Sequence, residues 1–165
     1  MKSTVEYSVS DCSLGSVLVA SSAKGVCAVL LGASPAVLKE DLRKRFPDAD
    51  LRETAVTAVH KKVMTFVDAP RGSFDVPLDA QGTDFQRKVW RALREIPAGA
   101  TASYLDIANR IGLPKSVRAV AAACAANPIA IAIPCHRVVR GDGGLAGYRW
   151  GIERKRALLA REGAR

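Results

Sequence analysis

Short apolar runs separated by turn residues dominate the start of the chain, and this pattern predicts strands. Val5 to Val9 alternates weakly between apolar and polar positions, whereas Ser16 to Ala20 and Val26 to Leu31 are runs rich in Val and Leu. Lys24-Gly25 lies between the last two runs and fits a hairpin turn. We therefore predict a small antiparallel sheet near the N-terminus.

Apolar residues then recur at helical spacing. Ser34-Pro35 predicts an N-cap and the first turn of a helix that ends before Pro47, and a second helical pattern covers residues 54–67. Ala69-Pro70-Arg71-Gly72 interrupts that spacing. We place a domain boundary between about residues 69 and 81, with an N-terminal domain at residues 1–78 and a C-terminal domain at residues 79–165.

The second half is predicted to be mostly helical. Thr83 and Gln86 form a capping box before a first helix. Ser103 and Ser116 are predicted N-caps of two shorter helices, with a turn at Gly112 between them. Two short helices across a tight turn that contains Gly are typical of a helix-turn-helix.

The second of these short helices, predicted from Val117 to Ala126, consists almost entirely of Ala and Val apart from Arg118 and Cys124. Recognition in the major groove uses Asn, Gln, Arg or Lys side chains. Small side chains instead let a helix approach the narrow minor groove. The same composition also fits a buried packing helix, and the pattern leaves both interpretations open.

The net positive charge is confined to the second half of the chain. Residues 1–79 carry ten Lys and Arg against ten Asp and Glu, whereas residues 80–165 carry fifteen against six, so the whole net charge of +9 lies in the second half. Twelve of these fifteen cations are Arg, whose guanidinium makes forked contacts with phosphate. The asymmetry favours a nucleic-acid partner, although a solvated basic face has the same composition.

Composition and spacing exclude several other classes. A hydrophobic fraction of 48% excludes a disordered chain. No apolar run is long enough to span a membrane, and the first ten residues lack the pattern of a secretory signal. We therefore expect a cytoplasmic protein without membrane contact, provided that Met1 is the natural start.

The cysteines and histidines lack the spacing of a zinc site, so we expect no metal. We interpret three of the four cysteines as small buried hydrophobes, Cys12, Cys27 and Cys124. Cys135 is different because His136 and Arg137 follow it directly. A nearby base or a positive field ionises a thiol and makes it nucleophilic.

The local geometry sets a condition on that chemistry. Adjacent residues of an extended chain point to opposite sides. A hydrogen bond between Cys135 and His136 therefore needs a bridging water or a bend in the backbone. On chemistry alone, a buried structural cysteine remains the commoner explanation.

Pro134-Cys135-His136-Arg137-Val138 resembles the signature of the O6-alkylguanine-DNA alkyltransferases, also called methylated-DNA–protein-cysteine methyltransferases. The resemblance covers nearly all of residues 80–163 in order. It includes Thr83-Asp84-Phe85-Gln86, Val89-Trp90, Ile96-Pro97, Ser103-Tyr104, Arg118-Ala119-Val120, Asn127-Pro128, Gly147-Tyr148 and Leu158-Leu159-Ala160-Arg161-Glu162. Tyr148-Arg149-Trp150-Gly151 is most similar to the C-terminal part of the bacterial adaptive-response proteins of this family.

The resemblance implies an α+β fold. It consists of a ribonuclease H-like α/β domain with a small antiparallel sheet, followed by a mostly helical domain with a winged-helix-like helix-turn-helix. The implied activity is direct-reversal repair of double-stranded DNA, in which an alkyl group on O6 of guanine moves irreversibly to Cys135, once per molecule. Activity on O4 of thymine and cooperative binding along DNA are left open. The resemblance implies a monomer without a cofactor.

Carried over position by position, the resemblance implies five catalytic residues. Cys135 is the nucleophile, His136 takes its proton through a water, and Glu162 orients His136. Asn127 holds the turn before the cysteine. Tyr104 presses on the target phosphate, contacts the flipped base and donates a proton to the leaving guanine.

The resemblance also implies DNA contacts and a base pocket. Arg118 enters the base stack in place of the extruded nucleotide. Further DNA contacts are expected from Tyr104, Ala119, Ser116 and Arg137. The base pocket is expected to contain Val138, Tyr148, Arg149, Ala130 and Trp90, and backbone groups of Cys135, Val138 and Arg149 are expected to hold the guanine.

Two positions depart from the animal members of the family. Ala130 stands where those members have a proline, and Arg149 stands where they have a small residue. We predict poorer use of O6-benzylguanine than of O6-methylguanine. Cys12, Cys27 and His60 do not reproduce the structural zinc ligands of some members.

Two other function classes compete with repair. A DNA-binding regulator without chemistry is supported by the helix-turn-helix and the basic half, and it would keep its function without Cys135. A cysteine hydrolase is supported by Cys135, His136 and Asn127, and it would turn over a soluble ester or amide.

Overall fold

The chain has an α+β fold with one small sheet and a helical second half. The structure, a computed structural model, describes residues 3–70, 74–142 and 144–163. The elements are β1 Thr4–Cys12, β2 Gly15–Ser22, β3 Gly25–Gly32, α1 Pro35–Arg45, β4 Asp50–Glu53, α2 Ala58–Asp68, α3 Asp84–Arg94, β5 Ala102–Ser103, α4 Tyr104–Arg110, α5 Val117–Ala125, a 3₁₀ helix Cys135–Arg137, β6 Val138–Val139 and α6 Ile152–Glu162. Arg71 and Gly72 of the predicted break lie outside the described residues.

The main sheet has the strand order β3-β2-β1-β4. Its first three strands form the antiparallel arrangement that the apolar runs predict. The turn between β2 and β3 falls at residues 23 and 24, so Gly25 is the first residue of β3 rather than part of the turn. Gly25 has φ +145° and lies against Pro77, whose carbonyl oxygen would be 2.4 Å from an added Cβ. Glycine is therefore required where this strand meets Pro77 and Leu78.

Three predicted helix starts are confirmed by their caps. The Ser34 side chain accepts a hydrogen bond from the Val37 N–H, and Thr83 and Ser103 each begin a capping box. Ser116 occupies the predicted N-cap position of α5, but it does not cap the helix with its side chain. Its hydroxyl donates to the Leu113 carbonyl at 2.6 Å and makes no cap to α5.

Short strands were missed because distant partners form them. β4 pairs in parallel with β1, and β5 pairs in parallel with β6. The helical pattern at residues 54–67 becomes α2 only from Ala58, because the Thr54 N–H still donates to the Tyr7 carbonyl at 2.7 Å. Strands of two to four residues carry too little periodicity to be recognised locally.

One hydrophobic cluster runs through both halves of the described chain. The outer edge of β3 pairs with later segments of the chain at two points, Val26 with Leu78 and Val29 with Ile129. The Val29 N–H donates to the Pro128 carbonyl at 3.0 Å, and the Ala130 N–H donates back to Val29 at 2.9 Å. The segment just before Cys135 is thus attached to the N-terminal sheet. None of the helices in the described part of the chain is long and apolar enough to cross a membrane.

Candidate active site

Cys135 begins a 3₁₀ helix and does not lie in an extended strand. The backbone thus bends at the cysteine, but no hydrogen bond joins Cys135 to His136 within the described residues, which leaves a bridging water as the way to connect them. Two tight turns precede it, centred on Ile131 and Pro134, each closed by a backbone hydrogen bond of 2.8 Å between the flanking residues. Ile131 has φ +74°, which is unusual for a β-branched residue and costs about 1–3 kcal/mol. The loop is therefore strained and must be held by its surroundings.

Asn127 ties this loop together from inside. Its side-chain amide donates to the Ile133 carbonyl at 2.8 Å and to Cys135 Sγ at 3.2 Å, and its Oδ1 accepts from the Ile129 N–H at 2.9 Å. The residue is fully buried. One side chain thus fixes both ends of the cysteine loop and contacts the sulfur.

A buried ion cluster lies beside the cysteine. His136 Nε2 lies 2.6 Å from Glu162 Oε1, and Arg137 donates to the same carboxylate from Nε at 3.1 Å and from Nη2 at 2.9 Å. A carboxylate partner on Nε2 favours the tautomer with the proton there, which leaves Nδ1 as the basic nitrogen. His136 Nδ1 is buried and has no hydrogen-bond partner within the described residues.

The electrostatics favour a neutral thiol and a neutral imidazole. Burial raises the pKa of Cys135 to about 11, although the Asn127 hydrogen bond and the Lys155 charge act in the opposite direction. Burial also lowers the pKa of His136, against the pull of Glu162. Burial opposes ionisation of Glu162, yet hydrogen bonds from His136 and Arg137 bring its pKa below the ordinary value. The thiol therefore needs a base to become a nucleophile at neutral pH.

Cys135 borders a cavity of about 310 Å³. The cavity is lined by Tyr104, Ala121, Cys124, Ala125, Cys135, Gly147, Tyr148 and Arg149. Tyr104 is the first residue of α4, and burial, followed by the nearby thiols, raises its pKa. Arg149 donates from Nη1 to the Asn127 carbonyl at 3.1 Å. The volume lies at the lower end of the range for small-ligand pockets, about 300–1,000 Å³.

Three residues predicted for the pocket lie elsewhere. Trp90 is buried and donates from Nε1 to the Ala123 carbonyl at 2.9 Å, so it fixes α3 against α5. Ala130 pairs with the N-terminal sheet at Val29. Val138 is fully buried and directs its carbonyl to Lys155. Tyr148 and Arg149 do line the cavity, as predicted.

Some of the predicted DNA contacts are exposed at the surface, and others are not. Arg118 and Ala119 are exposed on α5, as are Ala122 and Ala125, whereas Ser116 is half-buried before the helix. The opposite face of α5 is buried at Val120, Ala123 and Cys124. The helix is thus both a packing helix and an open surface of small residues.

The prediction that Arg137 contacts DNA is wrong. Its side chain is 6% exposed, and besides Glu162 it binds the Ile96 carbonyl at 2.6 Å. A guanidinium that is occupied in this way within the fold cannot reach a phosphate.

Lys155 is a site residue that sequence reasoning missed. It is fully buried, and Nζ donates to the Val138 carbonyl at 2.6 Å and to the Gly147 carbonyl at 3.2 Å. Burial lowers its pKa. Lys155, Leu158, Leu159 and Glu162 follow the i, i+3, i+4, i+7 spacing of a buried helix face, and that pattern could have revealed it.

No group of three His, Cys, Asp or Glu residues suited to a metal ion exists in the part of the chain that the structure describes. The four cysteines are free. Cys124, interpreted from the sequence as a buried hydrophobe, is buried and also lines the cavity.

Comparisons with known proteins agree over most of the chain. Residues 84–164 match the family described as 6-O-methylguanine DNA methyltransferase, DNA binding domain. The chain is 44% identical over 146 residues to the inducible methylated-DNA–protein-cysteine methyltransferase of Bacillus subtilis strain 168, covering 86% of this chain and 80% of that protein. It is 52% identical over 160 residues to the bifunctional transcriptional activator/DNA repair enzyme Ada of Escherichia coli K12, covering 96% of this chain and 45% of Ada.

Solved structures show the same fold. The Mycobacterium tuberculosis OGT in complex with DNA superposes with a TM-score of 0.79 at 36% identity, over 96% of this chain and 92% of that one. The O6-methylguanine-DNA methyltransferase of Pyrococcus kodakaraensis KOD1 gives a TM-score of 0.77 at 25% identity. The chain spans about half the length of the Escherichia coli and Salmonella typhimurium Ada proteins that it matches.

Proposed function

The chain belongs to the methylated-DNA–protein-cysteine methyltransferase family, and we propose that it repairs O6-methylguanine in duplex DNA by accepting the methyl group on Cys135. The observation that carries the proposal is a buried thiol at a cavity, with the Asn127 amide 3.2 Å from its sulfur and the buried His136–Glu162 pair beside it. The antiparallel strands followed by a helix and a parallel β4 support a ribonuclease H-like N-terminal domain. The helices α3 to α5 with the β5–β6 pair support a winged-helix-like second domain.

The proposed chemistry is a displacement at the methyl carbon. A bond forms between Cys135 Sγ and carbon, the bond from carbon to O6 breaks, and the electron pair stays with the guanine. The thiol proton passes through a water to His136 Nδ1, and Glu162 stabilises the resulting imidazolium. Tyr104 donates the proton that the leaving guanine needs, and its raised pKa keeps the hydroxyl protonated until then. The thioether product is stable, so each molecule acts once.

Access to O6 requires the base to leave the helix stack. The exposed face of α5 carries small side chains that fit closely into a minor groove, and the exposed Arg118 fills the space of the extruded nucleotide. The excess of cations in the second half supplies affinity that does not depend on sequence. Such binding suits a lesion that can occur anywhere in DNA.

We assign Lys155 a supporting role in this reaction. Its ammonium group bridges the carbonyls of Val138, after the cysteine, and Gly147, at the cavity wall. Its positive charge also favours the thiolate of Cys135. Arg149 at the cavity wall supports the prediction that O6-benzylguanine is used less well than O6-methylguanine.

The proposal is tested by the mass of the intact protein after incubation with duplex DNA that contains one O6-methylguanine. We expect a gain of one methylene unit, confined to the Cys135 peptide and limited to one per molecule. Cys124→Ala is the matched control for a second thiol at the same cavity and should still gain the mass. Cys135→Ala should gain none while binding the same DNA.

The competing functions give different results. A DNA-binding regulator would bind the duplex without any mass gain. A cysteine hydrolase would turn over a soluble ester many times per molecule. Either outcome would overturn the proposal.

A further inference from the structure

Helix α6 contributes Lys155 and Glu162 to the site, and an arginine directly precedes each of them in the sequence. Neighbouring residues on a helix point about 100° apart, so Arg154 and Arg161 lie on a different side of α6 from Lys155 and Glu162. They are seven residues apart and therefore lie on one side of the helix. Both are half-buried.

The two arginines bind backbone carbonyls of the N-terminal half. Arg154 Nε donates to the Leu14 carbonyl in the β1–β2 turn at 2.7 Å, and Arg161 Nη1 donates to the Val67 carbonyl at the end of α2 at 2.9 Å. An added Cβ at Gly15 would lie 3.1 Å from Arg154 Nη2, so the turn closely contacts the guanidinium.

The end of α2 is suited to a cation. Its last turn contains no basic residue of its own, although the C-terminal end of a helix carries partial negative charge. Arg161, which belongs to α6, supplies the missing positive charge at this helix end. Burial raises the pKa of the half-buried Cys12 thiol, and the charges of Arg154 and Arg161 both act in the opposite direction.

We propose that Arg154 and Arg161 are positioning residues for alkyl transfer, holding α6 on the N-terminal half so that Lys155 and Glu162 reach the cysteine loop. This rests on the proposed function of Cys135. In this arrangement the N-terminal half acts on the chemistry through α6. Its β1–β2 turn sets the position of Lys155, and the end of α2 sets the position of Glu162.

The experiment compares Arg154→Ala, Arg161→Ala and the double variant with Arg156→Ala in single-turnover transfer from O6-methylguanine duplex DNA. Arg156 is a matched control because it is exposed on the same helix and pairs only with the exposed Glu153 among the described residues. We expect the double variant to lose about 10- to 100-fold in limiting rate, since small misplacements of reacting groups have effects of this size. The rates are compared at saturating DNA, because each substitution removes one of the second-half cations that support DNA affinity. The limiting rate of Arg156→Ala should remain unchanged.

Two further readouts separate positioning from mere folding. The pH profile of the limiting rate should shift to higher pH in the double variant, because Cys135 loses the nearby positive charge of Lys155. Arg154→Lys and Arg161→Lys should recover most of the rate, since an ammonium group can still donate to the carbonyl. A wild-type rate and pH profile in the double variant would overturn the proposal. So would a rate loss that only follows the unfolded fraction, or lysine variants as slow as the alanine variants.

A probe that needs no DNA separates this proposal from the proposed function. The alkylation of Cys135 by iodoacetamide, located by peptide mass, should be slower in the double variant than in the wild type. A wild-type protein that accepts no methyl from DNA would refute the proposed function, yet slower alkylation in the double variant would still support the positioning role. Equal alkylation rates in the two proteins would refute the positioning role even if methyl transfer occurs.

Discussion

The two histidines of the chain are both fully buried, but their surroundings differ in kind. His60 lies on α2, and two hydroxyl groups of β1 bind its ring nitrogens: Ser8 Oγ at 2.5 Å from Nδ1 and Ser10 Oγ at 2.8 Å from Nε2. His136 binds the Glu162 carboxylate on one nitrogen, and its other nitrogen lacks a partner among the described residues.

The difference shows how a buried histidine becomes available for chemistry. An imidazole with both nitrogens satisfied by hydroxyl groups is a structural element, because a further proton would meet no compensating charge. An imidazole with a carboxylate on one side can accept a proton on the other, and the carboxylate stabilises the charge. Burial alone therefore does not distinguish the two, whereas the identity of the partner does.

Replacing each histidine by glutamine tests this comparison, and we expect it to give the largest effect on the rate of alkyl transfer. His136→Gln should slow alkyl transfer by about 10²- to 10⁴-fold, the usual contribution of a general base. Glutamine can still bind Glu162, which limits damage to the fold. His60→Gln, measured in the same single-turnover assay, should transfer at nearly the wild-type rate. A similar loss of transfer rate in both variants would show that the partners of the two histidines do not determine which one takes part in the reaction.

A smaller effect is expected when only the carboxylate is changed. Glu162→Gln keeps a hydrogen-bonding side chain but removes the charge. We expect transfer to slow by about 10- to 100-fold, the size of effect known for carboxylates that orient metal-bound histidines. The rate should be compared with Glu153→Gln, an exposed position on the same helix. Equal rates in the two variants would mean that the charge of Glu162 contributes nothing to His136.

The structural side of the comparison predicts a loss of stability. His60→Ala leaves the buried Ser8 hydroxyl without its partner, and we expect the free energy of unfolding in urea to fall by about 1–3 kcal/mol. Ser8→Ala should cost less in the His60→Ala background than in the wild type, because the partner is already gone. Equal costs in the two backgrounds would show that the hydrogen bond is not the source of the stability.

The pH dependence of stability should be the smallest of these effects. Burial lowers the folded-state pKa of both His60 and His136. Below the unfolded-state pKa of about 6.5, the unfolded chain binds more protons than the folded chain. The contribution of these histidines to the free energy of unfolding is therefore fully present above this pH and is lost as the pH falls. Urea unfolding between pH 7.5 and pH 5 should show this decline, and His60→Gln should make it shallower. An increase in stability towards pH 5 would contradict the pKa shifts.

Local signals in the sequence were sufficient for some elements. α1, α3 and α4 begin at the capping residues that the sequence predicts, because a cap is formed by side chains within three residues of the helix start. The family resemblance implies that Cys135, His136, Glu162 and Asn127 share one site. The structure pairs Asn127 with Cys135 and His136 with Glu162 by hydrogen bonds.

The missed features depend on partners that are distant in the sequence. The resemblance implies that Arg137 contacts DNA, but an internal carboxylate and a carbonyl bind its guanidinium within the fold. Trp90 and Ala130 were assigned to the pocket, although packing places them behind it. Lys155 was missed because a buried lysine is uncommon, and its carbonyl partners cannot be inferred from composition.

The attachment of residues 128–130 to β3 also bears on solubility. β3 is an outer strand whose residues from Val26 to Leu31 are all buried and apolar. An uncovered edge of this composition is a template for pairing with other chains. Pro128 and Ala130 occupy its hydrogen-bonding groups near Val29, and Pro77 and Asp79 do so near Val26. The loop that carries the nucleophile thus also shields an aggregation-prone strand, so substitutions that loosen it should reduce the yield of soluble protein together with repair.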